Sequence, residues 1–124
     1  MVAIQMLEEQ FATDNQKRFL LSQPGNVSGL EADITLSIDV IYHITDIEDW
    51  MQYFDDLFSA ARKFVLIYAF DGDFKKQSRA EHVIFRGFTD YVRDNFLCWE
   101  HVLTVPPLHV RNTSASFYLW QRRS

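Results

Sequence analysis

The side chains whose types and spacing could do chemistry are Asp39, Tyr42 and His43 in one short stretch, and His82 and Arg86 four residues apart. Asp39 closes an alternating apolar run, where its carboxylate can orient a nucleophile. The ordinary use of such an Asp is to cap its own turn through the backbone. His43 can serve as a general base, although a loop histidine bonded to backbone is commoner. His82 and Arg86, at i and i+4, would share one face of a helix. A guanidinium there can grip a carboxylate or phosphate, or it can be spent in an ion pair with Glu81 or Asp90. Other chemistries lack their residues. His101 and His109 have no acidic or cysteine neighbours at ligand spacing, so a metal site is not expected. The single Cys98 excludes an intrachain disulfide and a cysteine-built zinc site. No Gly-x-Ser-x-Gly elbow occurs, and hydrolase chemistry has no support.

These residues need elements to position them. Asp33–Ile38 alternates, with Ile34, Leu36 and Ile38 on one side and Thr35 and Ser37 on the other, and reads as a strand. From Asp46 to Arg62 the apolar positions Ile47, Trp50, Met51, Phe54, Leu57, Phe58 and Ala61 follow helical spacing. Phe64–Phe70 is a continuous apolar run ended by Asp71-Gly72-Asp73, which suits a strand buried on both faces. Strand, helix and strand with short connections make a βαβ unit and a parallel sheet. Upstream, Ala3–Gln16 reads as a helix and Phe19–Leu21 as a short strand stopped by Gln23-Pro24-Gly25. Downstream, Asp71–Arg79 is a polar loop and Ala80–Asn95 a helix with Ile84, Phe88, Tyr91 and Val92 as its apolar face. Leu97–Val105 and Ser114–Gln121 read as two strands of an antiparallel hairpin at one edge.

Ala32-Asp-Ile-Thr-Leu-Ser-Ile-Asp-Val-Ile-Tyr-His-Ile44 resembles the fourth strand and following loop of class I S-adenosylmethionine-dependent methyltransferases. There an Asp opens a hydrophobic strand, and the loop after it ends in His plus an apolar residue. The next helix and Phe64–Phe70 look like the fourth crossover helix and fifth strand. The likeness continues through His82-Val-Ile-Phe-Arg86-Gly-Phe-Thr and Ser116-Phe-Tyr-Leu-Trp120, and spans roughly residues 3–122. Ala3–Gln16 and Phe19–Leu21 would be the second crossover helix and third strand. The expected fold class is therefore α/β. It is a partial Rossmann-like methyltransferase sheet, with a parallel βαβ core and a C-terminal antiparallel hairpin. The expected organisation is one domain over residues 1–124, truncated at its N-terminal side.

The resemblance implies roles. Ile38 and Asp39 would contact the methionine end of the cofactor, and Asp39 with His43 would be catalytic. Tyr42, His82 and Arg86 would bind a small-molecule substrate. It also implies what to look for and not find. The family holds its cofactor through a Gly-rich turn and an acidic residue after the second strand. The glycines here, 25, 29, 72 and 87, form no Gly-x-Gly pair, and Ser22 and Gln23 stand where an acid often follows the third strand. S-adenosylmethionine is accordingly expected to bind the isolated chain weakly or not at all. The first-strand neighbour of Asp33–Ile38 would also be missing, so a homodimer through that exposed edge is expected. A non-catalytic interaction module that kept the C-terminal half of the fold is the reading from another class.

Composition narrows the partners. The chain has 124 residues, a net charge of −5 and eleven Phe, with 15% aromatics. No basic run exists to neutralise a phosphate backbone, which argues against nucleic-acid binding. The acids of Asp46–Asp56 fall mostly on the polar side of the helix, a solvated face. No apolar run is long enough to span a bilayer, and a cytoplasmic protein is expected.

Overall fold

The computed structural model describes residues 2–72, 83–109 and 114–124. Its centre is the predicted βαβ unit. Strand β1 (Ala32–Ile38) runs parallel to β2 (Ala61–Ala69), joined by helix α2 (Ile47–Ser59). Asp46 starts the helix from an extended conformation and accepts the Asp49 N–H at 3.0 Å, satisfying one of the donors that a helix start leaves open. Glu48 and Asp49 add negative charge to the first turn. Trp50, Phe54, Leu57 and Phe58 form the buried stripe, while Ile47 and Met51 at its margin are exposed.

Helix α3 (Thr89–Asn95) and the antiparallel strands β3 (Trp99–Val105) and β4 (Ser116–Arg122) complete the described fold. The sheet order is β1-β2-β4-β3, so β4 inserts antiparallel beside β2. The expected α/β class, with a parallel core and a C-terminal antiparallel pair, is the architecture observed.

One face of the sheet carries the core. Val65 and Ile67 of β2 and Trp120 of β4 point with α2 and α3, and meet Phe54, Phe58, Phe88 and Val92. Fully burying such side chains stabilises by about 1.5–3 kcal/mol each. Aromatic rings fill the layer edge to face: Phe54 against Tyr91 at 5.5 Å, Phe58 against Trp99 at 5.2 Å and Phe88 against Tyr118 at 5.1 Å. The abundance of Phe is absorbed here.

Several expectations are corrected. The first helix, α1 (Val2–Gln10), stops well before Gln16. Asp14 accepts the Gln16 N–H and pairs with Lys17, a local alternative to helix that ends it. Phe19–Leu21 is not a strand, and Leu20 and Leu21 are exposed. A three-residue extended run has no ladder of its own, and it pairs with no described strand. The helix expected from Ala80 begins only at Thr89, because the Asp71 carboxylate takes the N–H groups of Phe88 and Thr89 at 2.7 and 3.2 Å. Arg86 therefore precedes the helix. His82 itself lies outside the described residues.

The largest correction concerns β2, and it shows first at its neighbour β1. Ser37 is 2% exposed and faces α2, where it accepts a hydrogen bond from the Tyr53 hydroxyl. Thr35 donates to the Leu57 carbonyl. Ile34, Leu36 and Ile38 face the other way and are 42%, 55% and 50% exposed. Phe64, Leu66 and Tyr68 pair with them and are only half-buried, so β2 is not covered on both faces.

Candidate functional site

Parallel strands present their carboxyl ends together, and in open α/β sheets that end is where ligands bind. Here β1 ends at Ile38 and Asp39, beside Tyr68 of β2. Asp39 has φ 57°, and it is the only described residue other than glycine with positive φ. This left-handed geometry costs an L-residue free energy and is characteristic of turns and functional positions. The Asp39 N–H donates to the Tyr68 carbonyl at 3.1 Å, and its carboxylate lies near enough to the Tyr42 hydroxyl to raise the pKa of that group.

Tyr42 and His43 lie on a single 3-10 turn, Ile41–His43, whose first residue is buried in the core as an anchor. Their rings are 4.5 Å apart, and Tyr42 stacks on Phe85 at 5.4 Å. The Tyr42 carbonyl accepts the Ile84 N–H at 2.8 Å, tying the turn to the segment before α3. Partial burial, then the Asp39 charge, push the Tyr42 hydroxyl above its ordinary pKa of 10.0. It is a phenol at neutral pH. The ring of His43 is exposed, and its N–H closes the turn on Val40.

Arg86 reaches the same loop. Its guanidinium donates to the carbonyls of Ile44 and Thr45 and sits 5.7 Å over the Trp50 ring. Asp90, which sequence offered as its partner, bonds Arg93 instead. Arg86 thus holds the loop that carries Tyr42 and His43 against the start of α2, a two-pronged use suited to its planar fork. A depression of about 290 Å³ adjoins this loop, lined by Ser22, Gln23, Pro24, Ile44, Asp49 and Tyr53 among others. The structure therefore gathers Ile38, Asp39, Tyr42 and His43 at one point and places Arg86 behind them.

Sequence reasoning missed three contributors. Tyr68 holds Asp39 through a backbone carbonyl, which no side-chain pattern reveals. Phe85 supports Tyr42 from 43 positions away in the chain. Asp71, at the end of β2, sets where α3 starts; its position just before Gly72 was the available signal. Among the described residues no group of three or more His, Cys, Asp and Glu is gathered as for a metal, and no helix is long and apolar enough to cross a membrane.

No protein-family model matches the chain, and no curated protein matches it. Solved structures do. Magnesium protoporphyrin IX methyltransferase from Synechocystis with bound SAM aligns at TM-score 0.65 and 18% identity, over 95% of this chain and 51% of that one. The same enzyme with bound SAH aligns at 0.65 and 15%, over 95% and 57%. An S-adenosylmethionine-dependent methyltransferase from Clostridium acetobutylicum aligns at 0.62 and 13%, over 97% and 72%. At these identities the likeness establishes the fold, which is a partial methyltransferase-like fold. The chain spans about half the length of the Synechocystis structures.

Proposed function

We propose that this chain is the acceptor-side part of an S-adenosylmethionine-dependent methyltransferase acting on a small molecule, with the cofactor-binding half lying outside these residues. One observation carries the reading: Asp39 stands in a left-handed conformation at the carboxyl end of β1, next to the turn that carries Tyr42 and His43. When bound, the cofactor supplies an electrophilic methyl group on a positively charged sulfonium. Asp39 offers that crevice a negative charge, and Ile38 gives it an apolar floor. Tyr42 stands beside the carboxylate, on the turn that follows it. His43, on the same turn, would take a proton from the acceptor. Arg86 keeps this loop in one geometry, which matters because positioning supplies most of the rate in transfers of this kind. His82 stays a proposed substrate contact on its proximity in sequence alone. A single exposed thiol, Cys98, suits a reducing compartment such as the cytoplasm.

Titration of the isotopically labelled chain with SAH, followed by NMR, tests this. The sequence has no Gly-x-Gly turn to hold the cofactor, so a dissociation constant of about 1 mM, about −4 kcal/mol, is expected. The shifts should be confined to Ile38–His43 and their neighbours Tyr68 and Phe85. Shifts that fall elsewhere refute the site. No shifts at saturating SAH favour the second reading, a non-catalytic interaction module, for which the uncovered face of the sheet speaks.

A further inference from the structure

A second concavity lies at the opposite edge of the sheet from Asp39, since β1 forms one edge and β3 the other. Between α3 and the start of β3 is a cavity of about 430 Å³, within the range of small-molecule sites. Thr89 and Arg93 of α3 line one side of it, and Trp99 and His101 of β3 the other. Trp120 of β4 and Arg123, just past the end of that strand, complete the lining.

These walls are held in place from outside the cavity. Arg93 is bonded by Asp90 at 2.9 Å and Asp94 at 3.0 Å, and the Thr89 hydroxyl donates to the Asp71 carboxylate. On β3 the register slips between His101 and Leu103, so His101 stands opposite Trp120 and Thr104 opposite Tyr118. The extra residue, Val102, thus returns Thr104 to the face that His101 occupies. His101 Nε2 sits 2.8 Å from the Thr104 hydroxyl and 3.1 Å from the Leu103 carbonyl, with its ring 5.2 Å from that of Trp120. Bulges re-aim side chains in this way beside binding sites, and walls already ordered lower the cost of binding.

The lining has donors to spare and few acceptors. Trp120 is 1% exposed and Trp99 9%. An indole N–H can only donate, and one this buried normally has a partner. Among the described residues neither indole N–H meets an acceptor, and the Arg123 guanidinium meets no carboxylate. Asp90 is already taken up by Arg93. Glu100, the other acid of the lining, pairs in register with Gln121 and is turned by alternation to the far side of the strand. We propose that this cavity binds a planar aromatic carboxylate. Its ring lies among Trp99, His101 and Trp120, and its carboxylate accepts from the Arg123 fork and the two indoles. The nearby charges of Asp90, Asp94 and Glu100 favour a monoanion over a phosphate, whose second charge they repel. The inference stands apart from methyl transfer and from Asp39.

The chain has three Trp, so three indole cross-peaks report on it by NMR, and Trp50, beneath Arg86, serves as the internal control. The probe is 2-naphthoate, titrated into the full chain. The Trp99 and Trp120 peaks should move along one saturable curve with a Kd below about 1 mM, while Trp50 stays in place. Three compounds should each bind at least tenfold more weakly: naphthalene-2-carboxamide, which lacks the charge, cyclohexanecarboxylate, which is not planar, and 2-naphthyl phosphate, which carries a second charge. Arg123→Gln should also weaken 2-naphthoate at least tenfold, and because Arg123 is exposed the variant should melt as the parent does. Trp99→Phe should weaken it too, read from the Trp120 peak that remains. Trp99 and Trp120 peaks that stay still up to the solubility limit overturn the proposal. So do three peaks that move alike, or an Arg123→Gln variant that binds as the parent does. Equal or tighter binding of the carboxamide, the cyclohexane acid or the phosphate overturns the ligand class. Because the readouts lie on β3 and β4, a failed SAH titration at Ile38–His43 leaves this test unaffected.

Discussion

Replacing Asp39 by Ala and by Gly in parallel isolates the backbone strain on which the site assignment leans. Both substitutions remove the carboxylate, so that loss cancels between them. At φ 57° an L-residue pays about 1–2 kcal/mol for crowding its Cβ against the following carbonyl. Glycine pays nothing there but loses about 0.5–1 kcal/mol more chain entropy on folding. The difference leaves Asp39→Gly more stable than Asp39→Ala by about 0.75 kcal/mol, or about 3 °C in Tm for a domain of this size. Asp39→Asn, whose side chain tolerates the left-handed region, should exceed Ala as well. Urea melts followed by circular dichroism resolve the order, provided the slopes agree. If Asp39→Ala matches or exceeds Asp39→Gly, the strand does not end in a left-handed turn. The placement of the carboxylate beside Tyr42 then falls with it. The SAH-induced shifts should vanish equally in Asp39→Ala and Asp39→Gly, because both lack the charge.

Three further outcomes are expected. Phe54→Ala, at a position with no exposed surface, should cost about 3–5 kcal/mol in denaturant melts, and a neutral result would mean that the α2 stripe is wrongly assigned. Burial holds the Tyr53 hydroxyl above its ordinary pKa of 10.0, only partly offset by its bond to Ser37. The unfolded chain then releases this proton first, so stability is full below pH 10 and falls as pH rises through the folded value. Tyr53→Phe should flatten that alkaline loss in pH-dependent melts, and an unchanged slope would dismiss Tyr53 as its source. Finally, the isolated chain should self-associate through Asp33–Ile38 as concentration rises, more so with added salt, which screens the acids at both ends of the edge. Light scattering that reports one monomeric mass at every concentration and salt level would reject that pairing.

How far the sequence alone reached follows from what periodicity encodes. The alternation in Asp33–Ile38, the three-four spacing of α2 and the unbroken apolar run after it determined a parallel βαβ unit, because each pattern suits one backbone period. The position of Asp39 at a strand end was legible for the same reason. Periodicity records which side chains share a face, but not what lies over that face. Ile34, Leu36 and Ile38 are the more apolar side of β1, yet the right-handed crossover puts α2 over Thr35 and Ser37, which it satisfies with the Leu57 carbonyl and the Tyr53 hydroxyl. Only the tertiary structure decided that. It also decided where elements stop, since α3 begins where the Asp71 carboxylate meets two N–H groups seventeen and eighteen residues on. Arg86 was legible as a cation near the site. Its hold on the Ile44 and Thr45 carbonyls was not, because backbone acceptors more than forty residues away leave no trace in side-chain spacing.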